Sequence, residues 1–235
     1  MRPFLTAVWS DLILVSYAVP ESILQPFLPP GLVLDRLNGK AFASIVAFHF
    51  SKTRVMGVPV PPLPNLRDFP ELNLRFYVRE GDRRGVVFVR EYVPNKWVAL
   101  GARVLYNEPY EVAAGTNQVI RVDDSRSVRY NFTVDGRRQT VEATSRGSVN
   151  PADPDASSTF FKEQRWGFGK SRSGKLITYQ VTHIPWRTYD VDTYAVRIDF
   201  DALFGPDWHF LQSRKPDSVI FAEGSSVAVF PKRMG

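Results

Sequence analysis

Apolar and polar residues alternate with a period of two along much of this chain, and this alternation limits its possible folds more than any other feature. Successive side chains of a β-strand point to opposite faces, so this period predicts strands. Strands rich in β-branched and aromatic residues are predicted at Ala43–Phe50, Leu72–Arg79, Gly85–Val93, Val98–Tyr106, Val128–Val134, Gln139–Arg146, Leu176–His183, Thr193–Phe200 and Val219–Phe230. The sequence therefore predicts a mainly β, mostly antiparallel protein.

Turn residues separate these strands and leave little room for helix. Asp135-Gly136 lies between two alternating segments and predicts a hairpin, because both residue types tolerate positive φ. Ser171–Lys175 predicts another turn, with Gly174 as its permissive residue. The remaining predictions are three short helices, Pro20–Leu28, Ser157–Gln164 and Asp201–Phe204, and two proline-rich loops or lids, Val58–Pro70 and Asn150–Asp155.

The length and the cysteine content restrict the class of protein. A chain of 235 residues can bury roughly 70% of its unfolded surface, and we predict one domain over residues 1–235. The absence of cysteine excludes a disulfide framework, a thiol nucleophile and a cysteine zinc site, and suits a reducing cytoplasm. Polar residues and prolines interrupt the apolar N-terminal stretch before it reaches the ~20 residues of a membrane helix. We expect a cytoplasmic protein without a membrane partner.

The charge balance is basic but is not patterned for nucleic acid. Thirty basic residues oppose 24 acidic ones, for a net charge of +6. Nucleic-acid binders concentrate basic residues in stripes or in a recognition motif. The longest basic runs are the pairs Arg83-Arg84 and Arg137-Arg138, both in turn-like sequence. We therefore expect no nucleic-acid partner. Exposed strand edges would permit a homo-oligomer, although no residue pattern selects a two-fold surface.

No metal or cofactor motif occurs in the sequence. The histidines His49, His183 and His209 are far apart and lack the i, i+4 spacing of a helical zinc site. The chain has neither a phosphate-binding loop nor a strand followed by a dinucleotide fingerprint. We expect neither a metal nor a cofactor. His183, which ends a predicted strand, either bonds to backbone or contacts a ligand.

One predicted strand carries an unusual polar face. In Phe69–Arg79, alternation places Leu72, Leu74, Phe76 and Val78 on one side and Glu71, Asn73, Arg75, Tyr77 and Arg79 on the other. Two interpretations follow: the polar face is solvated, or it lines a polar cavity inside a barrel. Periodicity alone favours the solvated face. Charged residues that interrupt other predicted strands, Arg90, Glu91 and Arg103, present the same choice.

Several separated motifs, in order, resemble the YqjF-like group of uncharacterised bacterial proteins, within the acetoacetate decarboxylase-like superfamily. The resemblance runs from about Phe4 to Phe230 and rests on Phe4–Trp9, Leu28–Leu32, Phe69–Arg79, Leu100–Arg103, Glu108–Tyr110 and His183–Trp186. It implies a cone-like, double-sheet antiparallel β barrel around a small-molecule pocket. This implied fold agrees with the strands predicted from alternation.

The same resemblance implies that the decarboxylase reaction is missing. The superfamily's decarboxylases use a Schiff-base lysine whose pKa is lowered by a neighbouring lysine. Tyr110 stands at the position of the nucleophile and Glu111 at that of its neighbour. Ser10 stands near the position of their active-site arginine, and Glu71 matches their catalytic glutamate. A phenol cannot form an imine, so we expect no lysine-dependent decarboxylation.

We consider three functions. The first is a small-molecule-binding protein or unassigned enzyme, with Glu71 and Tyr110 as catalytic candidates. Its ligand would be a small organic acid or a polar aromatic compound, held by Arg75, Arg103, Asn73, Tyr106 and His183. The second is a structural or partner-binding module whose barrel is filled by the 17 Phe, 9 Tyr and 5 Trp side chains. The third, disfavoured above, is nucleic-acid binding by the arginine-rich surface.

Overall fold

Strands dominate the computed structural model, which describes residues 2–153 and 157–235. The strands are β1 Leu5–Ala18, β2 Val33–Leu34, β3 Arg36–Leu37, β4 Lys40–Val55, β5 Val58–Pro59, β6 Phe69–Glu80, β7 Arg83–Val93, β8 Tyr110–Val112, β9 Ala114–Val122, β10 Ser125–Val134, β11 Arg137–Arg146, β12 Trp166–Lys170, β13 Leu176–His183, β14 Thr188–Tyr189, β15 Thr193–Arg197, β16 Ser218–Val229 and β17 Arg233–Met234. The helices are α1 Glu21–Leu24, α2 Lys96–Tyr106, α3 Thr159–Lys162 and α4 Phe200–Phe204, with 3-10 helices at Gln25–Phe27 and Pro206–Ser213.

The larger sheet closes on itself. Its strands follow the order β16-β1-β4-β6-β7-β12-β13, and β13 pairs with β16 again through Val181 and Val229. Neighbours are antiparallel except β7 and β12, which run parallel. The hydrogen-bonded path is therefore a ring of seven strands with an enclosed interior. The predicted mainly β fold with a few short helices is confirmed.

A second sheet covers one side of this ring. Its order is β15-β11-β10-β9, and β10 and β11 form the hairpin predicted at Asp135-Gly136, where φ is +48° and +76°. Buried residues of this sheet, such as Tyr130 and Phe132, share one core with Ile13 and Leu74 from the ring. The ring strands beneath the second sheet are thus buried on both faces, one against that sheet and the other inside the ring.

A buried ion pair joins the two sheets. Asp11 occupies a bulge in β1 with φ of +57°, and the guanidinium of Arg126 on β10 binds its carboxylate through two nitrogens. Another nitrogen of Arg126 donates to the Tyr189 hydroxyl at 2.9 Å. Side-chain exposure is 14% for Arg126 and 7% for Asp11. The pair fixes the second sheet against the ring.

The prediction of a strand at Val98–Tyr106 is wrong, because this segment forms the helix α2. The side chain of Asn95 caps the helix by accepting from the backbone N–H groups of Trp97 and Val98. Asn107 ends the helix in the left-handed conformation, with φ of +56°. Apolar residues such as Trp97 and Val104 lie on its exposed side as well as on its cavity side, so alternation over these residues resembled a strand.

Other differences from the predictions are smaller. The strand predicted at Thr193–Phe200 ends at Arg197, because the Asp199 side chain accepts from the Ala202 N–H and starts α4. The turn at Ser171–Lys175 and the three short helices are present, although the bounds of the helices differ from the predicted ones and α4 begins one residue earlier. The prediction at Asn150–Asp155 lies partly outside the described residues. The alternation of apolar and polar residues did not predict the strands β1, β9 and β12.

No helix among residues 2–153 and 157–235 has both the length and the apolar character that crossing a membrane requires.

Candidate ligand-binding site

A cavity of about 350 Å³ lies inside the ring of strands. Every ring strand contributes to its lining, from Trp9 on β1 to Val229 on β16. Helix α2 covers one end with Val98, Ala102 and other residues, and the segment that follows β5 contributes Val60 and Leu66. This volume is in the range of sites for small organic ligands.

Most of the cavity wall is apolar and aromatic. The indole of Trp9 contacts the rings of Phe48 and Phe50, with centroid distances of 5.1 and 5.6 Å. Phe50 in turn stacks on Phe69 at 5.0 Å. Such rings present flat, weakly polar surfaces, and they confine the hydrogen-bonding groups of the site to one region.

The polar region begins on β6, where the odd-numbered side chains point into the ring. Glu71 accepts a hydrogen bond from Asn73 Nδ2 at 3.1 Å and from the Tyr110 hydroxyl at 3.2 Å. Arg75 donates through Nη2 to the carbonyl oxygen of Phe161 at 3.0 Å. Glu71, Asn73 and Arg75 are all buried. Three residues of the predicted polar face therefore line an internal cavity, whereas Tyr77 is buried outside that lining and Arg79 is exposed.

Glu91 reaches the same region from the neighbouring strand. It lies opposite Asn73 across the β6–β7 pair and beside Tyr110 across the parallel β7–β8 pair. Residues paired in this way share one face of a sheet, so the Glu91 and Glu71 carboxyls are diagonal neighbours. Glu91 is only 1% exposed, and the two carboxyl groups interact directly.

Glu108 supplies a third buried carboxyl from the turn between α2 and β8. Its Oε1 accepts a hydrogen bond from the Tyr179 hydroxyl on β13 at 2.7 Å. The Tyr179 ring lies where a side chain at position 167 on the paired strand β12 would be, since a Cβ there would come within 2.1 Å of Tyr179 Cζ. Gly167 is thus required for this placement of the phenol.

Replacing Gly167 by Ala is expected to destabilise the protein by about 1–3 kcal/mol, because the added methyl overlaps the Tyr179 ring. Urea denaturation measures the change. The control is Gly101→Ala in α2, where a Cβ has open space and where alanine should stabilise the helix by about 0.5–1 kcal/mol. Equal stability of the Gly167→Ala variant and the wild type would contradict the requirement for glycine.

Burial alters the ionisation of all three carboxyls. It raises the pKa of Glu71 to about 7, although hydrogen bonds from Asn73 and Tyr110 act in the opposite direction. The pKa of Glu108 rises to about 8 by burial and by the charge of Glu71. Burial and the charges of both neighbours raise the pKa of Glu91 well above its ordinary value. Near neutral pH this cluster therefore holds protons that exposed glutamates would have lost.

Unsatisfied buried polar atoms are concentrated at this cavity. Among the described residues, nine buried side-chain nitrogen or oxygen atoms have no hydrogen-bond partner. Five of them belong to residues that line the cavity: Trp9 Nε1, Asn73 Oδ1, Arg75 Nε, Glu91 Oε1 and Gln164 Oε1. A buried polar atom without a hydrogen-bond partner destabilises the folded protein unless a hydrogen-bonding group occupies the space beside it.

The structure brings most of the candidate site residues together. Glu71, Asn73, Arg75, Tyr106 and Tyr110 all line the cavity. The Tyr106 hydroxyl donates to the Phe230 carbonyl oxygen at 3.2 Å, and burial raises its pKa to about 12.

Two candidates are corrected, because Arg103 and His183 lie outside the cavity lining. Arg103 is on the exposed side of α2, where it donates to the Tyr110 carbonyl oxygen and to Glu111. Its placement in the pocket depended on the strand that is actually α2. The His183 ring stacks on Trp186 at 4.2 Å, and its Nδ1 bonds to the Ile184 carbonyl. The backbone-bonding interpretation of His183 therefore applies.

Sequence analysis missed several residues of the site. Glu91 had a signal, since it interrupts an apolar strand, but alternation could not show that it faces the cavity. Glu108 lies within a motif of the family resemblance, yet no role was assigned to it. Trp9 lies within another motif of that resemblance, whereas no pattern in the sequence distinguishes Gln164, a residue type that is usually exposed, or Tyr179, a type that is often buried in any core.

The arrangement is suited to hydrogen bonding and proton exchange with a small molecule. Carboxyls that ionise near neutral pH can both donate and accept protons. Within residues 2–153 and 157–235, no group of three His, Cys, Asp or Glu side chains is placed to hold a metal ion.

This fold is shared with the acetoacetate decarboxylase-like proteins. The structure of acetoacetate decarboxylase from Legionella pneumophila aligns with a TM-score of 0.67 at 12% identity, covering 100% of this chain and 88% of that one. An acetoacetate decarboxylase-like enzyme from Sphingomonas wittichii RW1 gives 0.65 at 15% identity, with 100% and 94% coverage. The enduracididine biosynthesis enzyme MppR, complexed with pyruvate, gives 0.65 at 17% identity, with 100% and 91% coverage.

Within this fold class, the chain belongs to the DUF2071 family, described as an uncharacterised conserved protein, whose model matches residues 6–226. It is also similar to the uncharacterised protein YqjF of Bacillus subtilis (strain 168), with 29% identity over 187 residues, or 76% of this chain and 72% of the relative. The family resemblance drawn from the motifs is confirmed.

Proposed function

We propose that this protein binds a small organic molecule in the cavity inside its ring of strands. The observation that carries this proposal is the concentration of five unpartnered polar atoms on the lining of one cavity. A ligand that meets these atoms would recover hydrogen bonds that the protein alone leaves unmade. The alternative, a filled barrel that serves as a structural or partner-binding module, is disfavoured by about 350 Å³ of open space.

The sequence predicts two classes of ligand, a polar aromatic compound and a small organic acid. The aromatic walls formed by Trp9, Phe48, Phe50 and Phe69 favour the polar aromatic compound. One observation favours the acid, namely the unpartnered Nε of Arg75, which could donate to a carboxylate.

We also propose Glu71 and Tyr110 as the pair that exchanges a proton with the bound molecule. The carboxyl of Glu71 has a pKa of about 7 and accepts a hydrogen bond from the Tyr110 hydroxyl. A group that ionises near the working pH is an effective general acid or base. Lysine-dependent decarboxylation is not proposed, because the described cavity lining contains Tyr110 and no lysine.

The test is ligand-induced thermal stabilisation with a panel of phenols, aromatic alcohols, aromatic amines and oxo-acids. We expect at least one class to raise the melting temperature of the wild-type protein. Replacing Ala102, which lines the cavity from α2, by Phe should fill the site and weaken the binding at least tenfold. The matched control is Val104→Phe on the exposed side of the same helix, which should bind like the wild type.

The melting temperatures of the unliganded variants establish that both are folded. No stabilisation by any member of the panel would contradict the proposed function. Binding that survives unchanged in a folded Ala102→Phe variant would place the ligand elsewhere and would also contradict it.

A further inference from the structure

The charges that line the cavity are mostly acidic, although the whole protein is basic. Of the described residues that line it, Glu71, Glu91 and Glu108 carry carboxyl groups, and Arg75 carries the guanidinium. The net charge of the chain is +6, so this excess of carboxyls opposes the overall balance. Because a buried carboxyl ionises readily only beside a compensating positive charge, the concentration of three carboxyls around empty space favours a cationic group on the ligand.

Arg75 already uses part of its hydrogen-bonding capacity within the protein. Its Nη2 donates to the Phe161 carbonyl oxygen at 3.0 Å, and its charge lowers the pKa of Glu71. One guanidinium can balance only one ionised carboxyl, and burial favours the protonated forms of the others until a further cation is present. An anionic ligand at Arg75 would also lie beside Glu71, and the two negative charges would repel each other.

The unpartnered atoms also point to a donor on the ligand. Three of the five are acceptors: Asn73 Oδ1, Glu91 Oε1 and Gln164 Oε1. All three side chains are more than nine-tenths buried and line the cavity. A protonated amine carries up to three N–H donors, which matches these three acceptors, whereas Trp9 Nε1 and Arg75 Nε are donors that an ammonium group leaves unpaired.

The aromatic walls have the same preference. The face of an aromatic ring is electronegative and attracts cations, most strongly for indole. Trp9, Phe48 and Phe50 contact one another and line the cavity together with the carboxyls. The site thus combines buried carboxyls with aromatic surfaces, which is the chemistry that recognises organic ammonium groups.

We infer that the ligand is a small aromatic amine, bound as its ammonium ion with the charge at the three glutamates and the ring against the aromatic wall. This inference rests on the proposed function, because it names the ligand class of the same cavity.

Proton release should accompany the binding of an amine. The titratable groups that line the cavity are the three glutamates and the phenols of Tyr106, Tyr110 and Tyr179. Burial raises the pKa of each phenol, so these groups stay neutral. The glutamates hold protons near neutral pH, and an ammonium ion would favour their ionised forms.

The experiment is isothermal titration calorimetry of the full chain with three probes of similar shape and different charge: benzylamine, benzyl alcohol and benzoate. At pH 7.5 we expect benzylamine to bind at least tenfold more tightly than the other two. Repeating the titration in phosphate and in Tris reports the protons exchanged. The binding of benzylamine should release protons from the cavity glutamates to the buffer.

Glu91→Gln tests the carboxyl itself. The variant should weaken benzylamine binding about tenfold and change benzyl alcohol binding less than twofold, because only the ammonium needs the negative charge. The control is Glu111→Gln, an exposed carboxyl paired with Arg103 outside the cavity. It should bind all three probes like the wild type.

Outcomes separate the two proposals. Tighter binding of benzyl alcohol or benzoate than of benzylamine would overturn the amine inference and leave the ligand site intact. Benzylamine binding with no loss in Glu91→Gln would overturn it as well. Binding of none of the three probes would overturn the amine inference, whereas the proposed function is contradicted only if the whole panel of the thermal test also fails.

Discussion

Replacing Arg126 by Ala is expected to lower the free energy of unfolding by about 3–5 kcal/mol, among the largest effects of a single substitution in this chain. The substitution removes both nitrogens that bind Asp11 and the donor to Tyr189, and leaves a buried carboxylate without its cation. It also removes a polar contact between the second sheet and the ring, which otherwise share an apolar core. Urea denaturation followed by tryptophan fluorescence measures the loss.

A matched control lies three residues away on the same strand. Arg129 pairs with Glu142 on the outer face, but its side chain is 52% exposed, so Arg129→Ala should cost about 1 kcal/mol or less. Adding Asp11→Asn to Arg126→Ala should restore part of the lost stability, since it removes the unpaired charge and asparagine tolerates positive φ. Equal losses for the two arginines would refute the structural importance of the buried pair.

The strands were predictable because their residues favour the extended conformation locally. Leu72–Arg79 and Leu176–His183 alternate strongly, and Asp135-Gly136 fixes the hairpin between β10 and β11. Helix α2 was not predictable from alternation, since its apolar residues face both the cavity and the surface. The Asn95 cap and the left-handed Asn107 were the available signals, and they outweigh the pattern of the residues between them.

The site was predictable only in part, because alternation gives the face of a strand but not what covers that face. Glu71, Asn73 and Arg75 were correctly placed on one side of β6. Their burial depends on α3, on β7 and on the closure of the ring from β13 to β16, which join residues far apart in sequence. Glu91 and Glu108 enter the site for the same reason, through strand register and a turn.

Stability should fall as pH rises from 7 to 8.5, because the cavity glutamates hold protons in the folded protein and not in the unfolded chain. Burial raises the pKa of Glu108 to about 8 and that of Glu91 well above its ordinary value, whereas unfolded glutamates ionise near 4.3. The folded state binds more protons in this window, so the free energy of unfolding decreases with pH. Each retained proton contributes a slope of about 1.4 kcal/mol per pH unit.

Between pH 7 and 8.5 the change in stability reports the glutamates, because the groups whose titration increases stability with pH act at lower pH. The pKa values of His49 and His183 are lowered by burial, so these residues add stability with rising pH only up to the ordinary histidine range. Glu108→Gln keeps the shape of the protonated side chain and should reduce the slope by up to about 1.4 kcal/mol per pH unit. Glu111→Gln, an exposed carboxyl in the same segment, should leave the slope unchanged. Urea denaturation at pH 7.0, 7.5, 8.0 and 8.5 measures it, and a flat profile in the wild type would mean that the three carboxyls are ionised in the folded protein.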